Sequence, residues 1–189
     1  ERVAIITGGD SSEREVALQT ADATSESCIR MNIDFQVFDV ANFRQLLELR
    51  LTGFTRVFLA LHGGFGENGM AQAYLEGIKI PYNGPSPQAS AICMDKLLSK
   101  HVANGLEIKT PKYLFYPNDS AVSFAVAKER FGSRFIVKPN GEGCSIGVSL
   151  VQGDVGEFDQ AVKKASSFGR GILIEEFIDG QELSVCYFF

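Results

Sequence analysis

Apolar and polar positions switch between two periods along this chain, and the switches lay out its elements. Residues 3–6 form an unbroken apolar run, continued by Thr7 and closed by Gly8 and Gly9, which predicts a short buried strand over 3–7. Ala17, Ala21, Thr24, Cys28 and Met31 then recur at helical spacing and make a small-residue face suited to a sheet. Ser12 and Glu15 fit the S-x-x-E pattern of a capping box, which predicts where that helix starts. Residues 35–40 predict a second strand, 43–51 a second helix and 57–61 a third strand. A short helix over 72–76, ended by Gly77, leads to an expected fourth strand over 78–82. Strands alternating with helices through short connections imply a parallel sheet. In such sheets ligands bind beyond the carboxyl ends of the strands. Two of those ends, residues 8–15 and 62–69, are expected on the same edge.

The pattern changes after Asn83-Gly84-Pro85. Residues 87–92 and 95–104 predict two helices, the second ended by Gly105. A domain boundary is expected near Asp95, giving domains 1–94 and 95–189. Beyond it come a strand over 113–116, a helix over 120–130 and a strand over 135–138. A strand over 148–151, a helix over 158–168 stopped by Gly169 and a strand over 172–177 follow. The fold class is therefore α/β: a parallel-sheet domain followed by a small α+β unit. There are no repeats and no low-complexity segments.

Residues 135–149, FIVKPNGEGCSIGVS, carry the most chemistry per residue. A buried strand ends on Lys138 and Pro139. Gly141, Gly143 and Gly147 follow, with Cys144 and Ser145 between the last two. The glycines lie between two strands. A dinucleotide fingerprint needs a helix directly after them, so it is excluded. Glycines at such a hairpin let backbone N–H groups approach an anion closely, and a lysine on the preceding strand adds a point charge. The stretch reads as a flexible phosphate loop or as an ordinary glycine-rich hairpin.

Composition narrows the function classes. With 189 residues, 45% of them apolar, the chain can build one large or two small cores. A net charge of −5 and the lack of a basic stripe argue against a nucleic-acid partner. The four cysteines, Cys28, Cys93, Cys144 and Cys186, form no C-x-x-C pair, and with two histidines no zinc site is expected. Free thiols and the lack of a signal peptide point to the cytoplasm. No apolar run is long enough for a membrane span. The start at Glu1 and the apolar stretch 185–189 suggest a chain trimmed within a fold.

The ordered set GGDSSEREV, LALHGGFGENG, IPYNGPSPQASAICMDK, FIVKPNGEGCSIGVS and ILIEEFIDGQE closely resembles the D-alanine–D-alanine ligase family of the ATP-grasp superfamily. The resemblance implies a Rossmann-like, pre-ATP-grasp N-terminal domain followed by a partial ATP-grasp domain. It implies a carbon–nitrogen ligase that joins two D-alanines at the expense of ATP, through an acyl phosphate, for peptidoglycan in the bacterial cell wall. A ligase making D-alanyl-D-lactate or D-alanyl-D-serine, or a non-catalytic nucleotide-binding module, are the alternatives. By resemblance, Glu15 holds the ammonium of the first D-alanine, while completing a capping box is its structural reading. His62 and Glu67 shape the same pocket. Most of the family reads Glu-Asp where this chain has Glu67-Asn68.

Lys96 and Lys138 resemble the two lysines that grip the ATP phosphates. Gly143, Cys144 and Ser145 belong to the loop that closes over the site, where the family usually carries Ser-Ser. Cys144 and Ser145 are thereby placed with Glu15 in the catalytic set, although no histidine near Cys144 in sequence would make it a nucleophile. Glu175 is matched to the adenine amino group, the backbone of Glu176, Phe177 and Ile178 to the base edge, and Glu182 to the ribose hydroxyls. ATP and two Mg²⁺ (or Mn²⁺) ions are implied. The metal ligands and an arginine for the tetrahedral intermediate are expected beyond Phe189, so the stretch alone is expected to be inactive. D-alanine and ATP are the implied partners, and a homodimer through the N-terminal domain is the implied assembly.

Overall fold

Strand β1 (Arg2–Gly8) is apolar without alternation because both of its faces are covered. It lies at the centre of a parallel sheet of order β2-β1-β3, between β2 (Asp34–Val40) and β3 (Arg56–Leu59). Ala4 and Ile6 point to one side, into a core with Val40, Leu46, Val57, Phe65, Ala71 and Leu75. Val3 and Ile5 point to the other, against Ala21, Cys28 and Ala60. Helix α1 (Arg14–Arg30) covers the second side with its small-residue face: Ala17, Ala21 and Cys28 are buried. Met31 falls after the helix and is exposed, so the expected face is one residue shorter. Helices α2 (Phe43–Glu48) and α4 (Met70–Gly77) supply Leu46, Ala71 and Leu75 to the first side.

The structure is a computed structural model that describes residues 1–183 and 185. Most of the apolar run at 185–189 lies outside the described residues. By its contacts the chain divides into two compact units, Glu1–Ser99 and Lys100–Phe189. The remaining helices of the first unit are α3 (Gly64–Glu67) and α5 (Pro87–Met94). Helix α6 (Lys96–Gly105) runs through the division.

The second unit holds an antiparallel sheet of order β4-β7-β5-β6, made by Tyr113–Tyr116, Ile172–Glu176, Phe135–Pro139 and Ser149–Val151. Helices α7 (Phe124–Phe131) and α8 (Val155–Ser166) bury one face of it. Phe124, Phe135 and Phe158 form a ring cluster with centroids 5.4–6.2 Å apart. Such contacts each add about 0.5–1.5 kcal/mol beyond burial.

Three expectations about elements are corrected. Residues 78–82 form no strand. Lys79 takes φ +59, and only an isolated bridge joins Val57 to Tyr82. The expected capping box is absent: α1 begins at Arg14 with no side-chain cap from Ser12. Ser11 bends the chain there instead, its hydroxyl accepting from Glu13 N at 3.1 Å. The helix expected over 120–130 is broken. A 3₁₀ turn (Asp119–Ala121) precedes α7, and the Ser123 side chain caps α7 through Val126 N.

Candidate functional site

In the first unit, the loops after β1 and β3 lie on one edge of the sheet. The Ser11 hydroxyl donates to His62 O at 2.6 Å, which ties the two loops together. Arg14 anchors the first loop, with a bidentate pair to Asp39 (2.9 and 2.7 Å) and a bond to Gly9 O at 3.2 Å. The strand-end turn therefore depends on an ion pair to the end of β2.

Between these loops, Glu13 is 6% exposed. Its carboxylate lies so close to Gly63 that a Cβ there would come within 2.6 Å of Oε2. Gly63 also has φ +62, so glycine is required at this position both sterically and conformationally. Glu15, two residues further on, is exposed on α1. His62 Nε2 lies 2.9 Å from the Thr20 hydroxyl, which itself donates to Val16 O at 3.0 Å. A hydroxyl has one proton; with that proton on Val16 O, Nε2–H is the donor to Thr20. His62 Nδ1 then faces Glu67 Oε1 at 3.8 Å. Buried Gln72 supports the loop by donating to Gly66 O at 2.8 Å. Asn68 takes a turn role: its side-chain oxygen accepts from Met70 N at 3.1 Å, at the start of α4. Lys96 opens α6 and is half-buried.

In the second unit, cross-strand register sorts the sheet into two faces. Leu114 pairs with Ile174 and Tyr116 with Ile172, on the side packed by α7 and α8. Tyr113 pairs with Glu175, Glu175 with Ile136 and Leu173 with Lys138, so these residues share the opposite face. There Glu175, 4% exposed, sits between two lysines. Lys100 Nζ is 2.8 Å from its Oε1 and Lys138 Nζ is 2.5 Å from its Oε2. A buried carboxylate between two ammonium groups is a cluster of net charge +1, a natural place for a polyanion.

Lys138 leads directly into the glycine hairpin. The base of the hairpin is fixed: buried Asn140 donates its N–H to Gly171 O at 3.0 Å, and Lys164 Nζ reaches Val148 O at 3.2 Å. Gly141 packs on Arg170, and Gly147 (φ +75) packs on Pro139 and Phe168. Cys144 and Ser145 are exposed at the tip, both with left-handed backbone (φ +46 and +59). Turn bonds from Ile146 N to Gly143 O and from Val148 N to Ser145 O close it. At the end of β7, Glu176 is tied to Lys112 through both backbone and side chain, at 3.0 and 2.8 Å. The Phe177 ring lies under Arg134 at 4.3 Å. Ile178 is 63% exposed and Glu182 is exposed. A groove of about 800 Å³ runs between residues 109–112 and the Glu176–Ile178 segment. No cluster able to hold a metal ion occurs among the described residues.

Comparison with known proteins settles the relationship. The family model described as the C-terminus of D-ala D-ala ligase matches residues 105–188. A D-alanine–D-alanine ligase of Paracidovorax citrulli is 40% identical over 181 residues, covering 96% of this chain and 53% of that protein. Over nearly its whole length the chain is similar to D-alanine–D-alanine ligases. A family member from an Anaeromyxobacter species is 38% identical over 98% of the chain and 59% of its own length. A solved D-alanine–D-alanine ligase from Bacillus anthracis superposes with a TM-score of 0.84 at 30% identity, over 95% of this chain and 58% of that one. The same ligase complexed with ATP gives 0.81 at 29% identity, over 95% and 57%. The chain spans between half and three fifths of the length of these relatives.

Of the family positions expected from sequence, the first unit draws His62 and Glu67 into one loop cluster, and the second brings Lys138 onto Glu175. Two buried charges had escaped the sequence reading. Glu13 is hidden because two acids stand in Ser-Ser-Glu-Arg-Glu and the expected cap favoured the second. Lys100 carries no sequence mark that separates it from a solvated helix lysine.

Proposed function

We propose that this chain is the substrate- and nucleotide-holding part of an ATP-dependent D-alanine–D-alanine ligase that serves peptidoglycan synthesis. Its first unit takes the role of the pre-ATP-grasp domain, and its second that of the ATP-grasp central domain. The observation that carries the reading is the Lys100–Glu175–Lys138 cluster at the root of the glycine hairpin, in a chain 40% identical to a ligase.

The chemistry is a two-step condensation. A carboxylate oxygen of the first D-alanine attacks the γ-phosphorus of ATP, releasing ADP and leaving an acyl phosphate. The amine of the second D-alanine then attacks the acyl carbon, expels phosphate and gives up a proton. In this reading Glu13, and not the exposed Glu15, receives the ammonium of the first D-alanine. A desolvated carboxylate facing a glycine-lined loop suits a small cation. His62 and Glu67 border that pocket. Lys138 neutralises charge on the phosphates, and Lys96 is assigned the same task on family resemblance alone. Gly143, Cys144 and Ser145 cover the phosphates. Glu175 accepts from the adenine amino group, the backbone of Glu176, Phe177 and Ile178 lines the base, and Glu182 meets the ribose.

The described residues offer no cluster fit to hold a Mg²⁺ pair. A cytoplasmic setting and a homodimer through the first unit belong to the same proposal. Among the described residues no helix is long and apolar enough to cross a membrane.

A chimera tests the reading. This chain replaces the matching segment of the Paracidovorax citrulli ligase, and D-alanine-dependent phosphate release from ATP is measured. Turnover within about tenfold of the parent is expected. A folded chimera that binds ATP without turnover overturns the ligase assignment.

A further inference from the structure

Lys100 is 7% exposed, an uncommon burial for a lysine. Among the described residues its ammonium has four neighbours, all within the second unit. It lies 2.8 Å from Glu175 Oε1, 2.9 Å from Pro111 O, 3.5 Å from the Thr110 hydroxyl and 4.9 Å from the Tyr113 ring centre. It therefore links α6, the segment before β4 and the end of β7. Glu175 Oε1 is fully buried, with that ion pair but no aligned hydrogen bond, so acceptor capacity remains on the carboxylate.

The two lysines on Glu175 are not equivalent. Lys138 is the more exposed partner, with 21% of its side chain accessible, and it stands at the mouth of the hairpin. Lys100 is closed in on every side. A carboxylate that depended on Lys138 alone would lose its partner whenever that lysine turned to phosphate. Lys100 keeps a countercharge in place whatever Lys138 does, and its bond to Pro111 O sets where the charge sits.

We propose that Lys100 is a positioning residue that holds Glu175 ready for the exocyclic amine of an adenine base, and so makes the site choose amino-bearing purines. This rests on the nucleotide-binding reading given above. Lys100 touches neither substrate nor reacting atoms; it acts through Glu175.

The test is base discrimination at equilibrium, in the intact protein. Binding of ATP and of purine riboside triphosphate, which lacks the amine, is measured for the wild type, Lys100→Met and Lys100→Arg. The wild type is expected to prefer ATP by about tenfold or more, the worth of one hydrogen bond to a charged group. Lys100→Met is expected to bring that ratio below about threefold. A residue that served only folding would weaken both ligands together and leave the ratio intact. Lys100→Arg retains the charge but replaces a point charge with a planar fork. It is expected to fold, bind ATP and discriminate less than the wild type. An unchanged ratio in a folded Lys100→Met protein overturns the proposal. So does an unchanged ratio in Lys100→Arg when Lys100→Met is unfolded. A wild type that binds neither triphosphate removes the nucleotide reading and this inference with it; a wild type that binds ATP with unaltered variants removes this inference alone.

Discussion

Glu13 and Glu15 stand two residues apart, and their surroundings assign them different work. Glu13 is buried against Gly63 and Ser11, while Glu15 faces solvent on the first turn of α1. A buried carboxylate that meets an ammonium makes a charge-assisted bond worth about 1.5–3 kcal/mol. In the active chimera, Glu13→Gln is therefore expected to raise the KM for the first D-alanine by about tenfold to a hundredfold. Glu15→Gln is expected to change it by less than about twofold. Steady-state kinetics on the two variants decide the matter, and the reverse order would return the ammonium site to Glu15. A second residue-scale effect sits on Tyr82. Burial raises its pKa above the ordinary value of 10.0, and the hydrogen bond to Glu76 and that carboxylate's charge add to the rise. The folded state thus favours the neutral phenol. The contribution is whole below pH 10. It fades as pH climbs through the folded value, because the unfolded chain gives up its proton first. Tyr82→Phe is expected to flatten the loss of stability above pH 10. Urea midpoints at pH 8 and pH 10.5 measure it, and parallel losses in variant and wild type would contradict it.

At the scale of elements, the strands that carry the cores were legible because their apolar runs are long and their neighbours obey one period. Residues 78–82 were not, although they look just as apolar. After α4, Lys79 turns with positive φ and Pro81 has no N–H to give. The place of the next ladder rung is taken by the side chain of Asn83. Its amide accepts from Leu59 N at 2.6 Å and donates to Leu59 O at 3.2 Å, as a backbone peptide would. A side chain standing in for a strand leaves no hydrophobic period to read. Asn83→Ala should remove both bonds and lower stability by about 1–2 kcal/mol, seen as a reduced denaturant midpoint at unchanged slope. The same limit explains the site. His62, Glu67 and Lys138 stood out as candidates because glycines mark their loops. Glu13 and Lys100 were not, since burial by residues distant in sequence has no local signature. The hairpin gives a second element-scale expectation. Gly147 has φ +75 and packs so closely on Pro139 and Phe168 that a Cβ would meet them at 2.8 Å. Gly147→Ala should weaken nucleotide binding through a displaced loop and lower stability by roughly 1–3 kcal/mol. Unchanged ATP affinity in the folded variant would detach the hairpin from the site.

At the scale of the whole molecule, each unit carries its own hydrophobic core. Among the described residues, the clusters around Ile6 and around Ile5 draw on residues before Ser99, and the cluster around Phe135 on residues after Lys100. Stability can then be lost in one unit and kept in the other. Phe158 tests this, since it is 2% exposed and touches both Phe124 and Phe135. Phe158→Ala removes a ring from a packed cluster, a change that typically destabilises by about 3–5 kcal/mol. Hydrogen exchange should then accelerate in β5 and β7 while the amides of β1 keep their protection. ATP binding should fail in the same variant, because Lys138 and Glu175 lie on the sheet whose other face Phe158 supports. Loss of protection in both units together would mean that the chain unfolds as one cooperative body, and the two cores would have to be treated as a single source of stability.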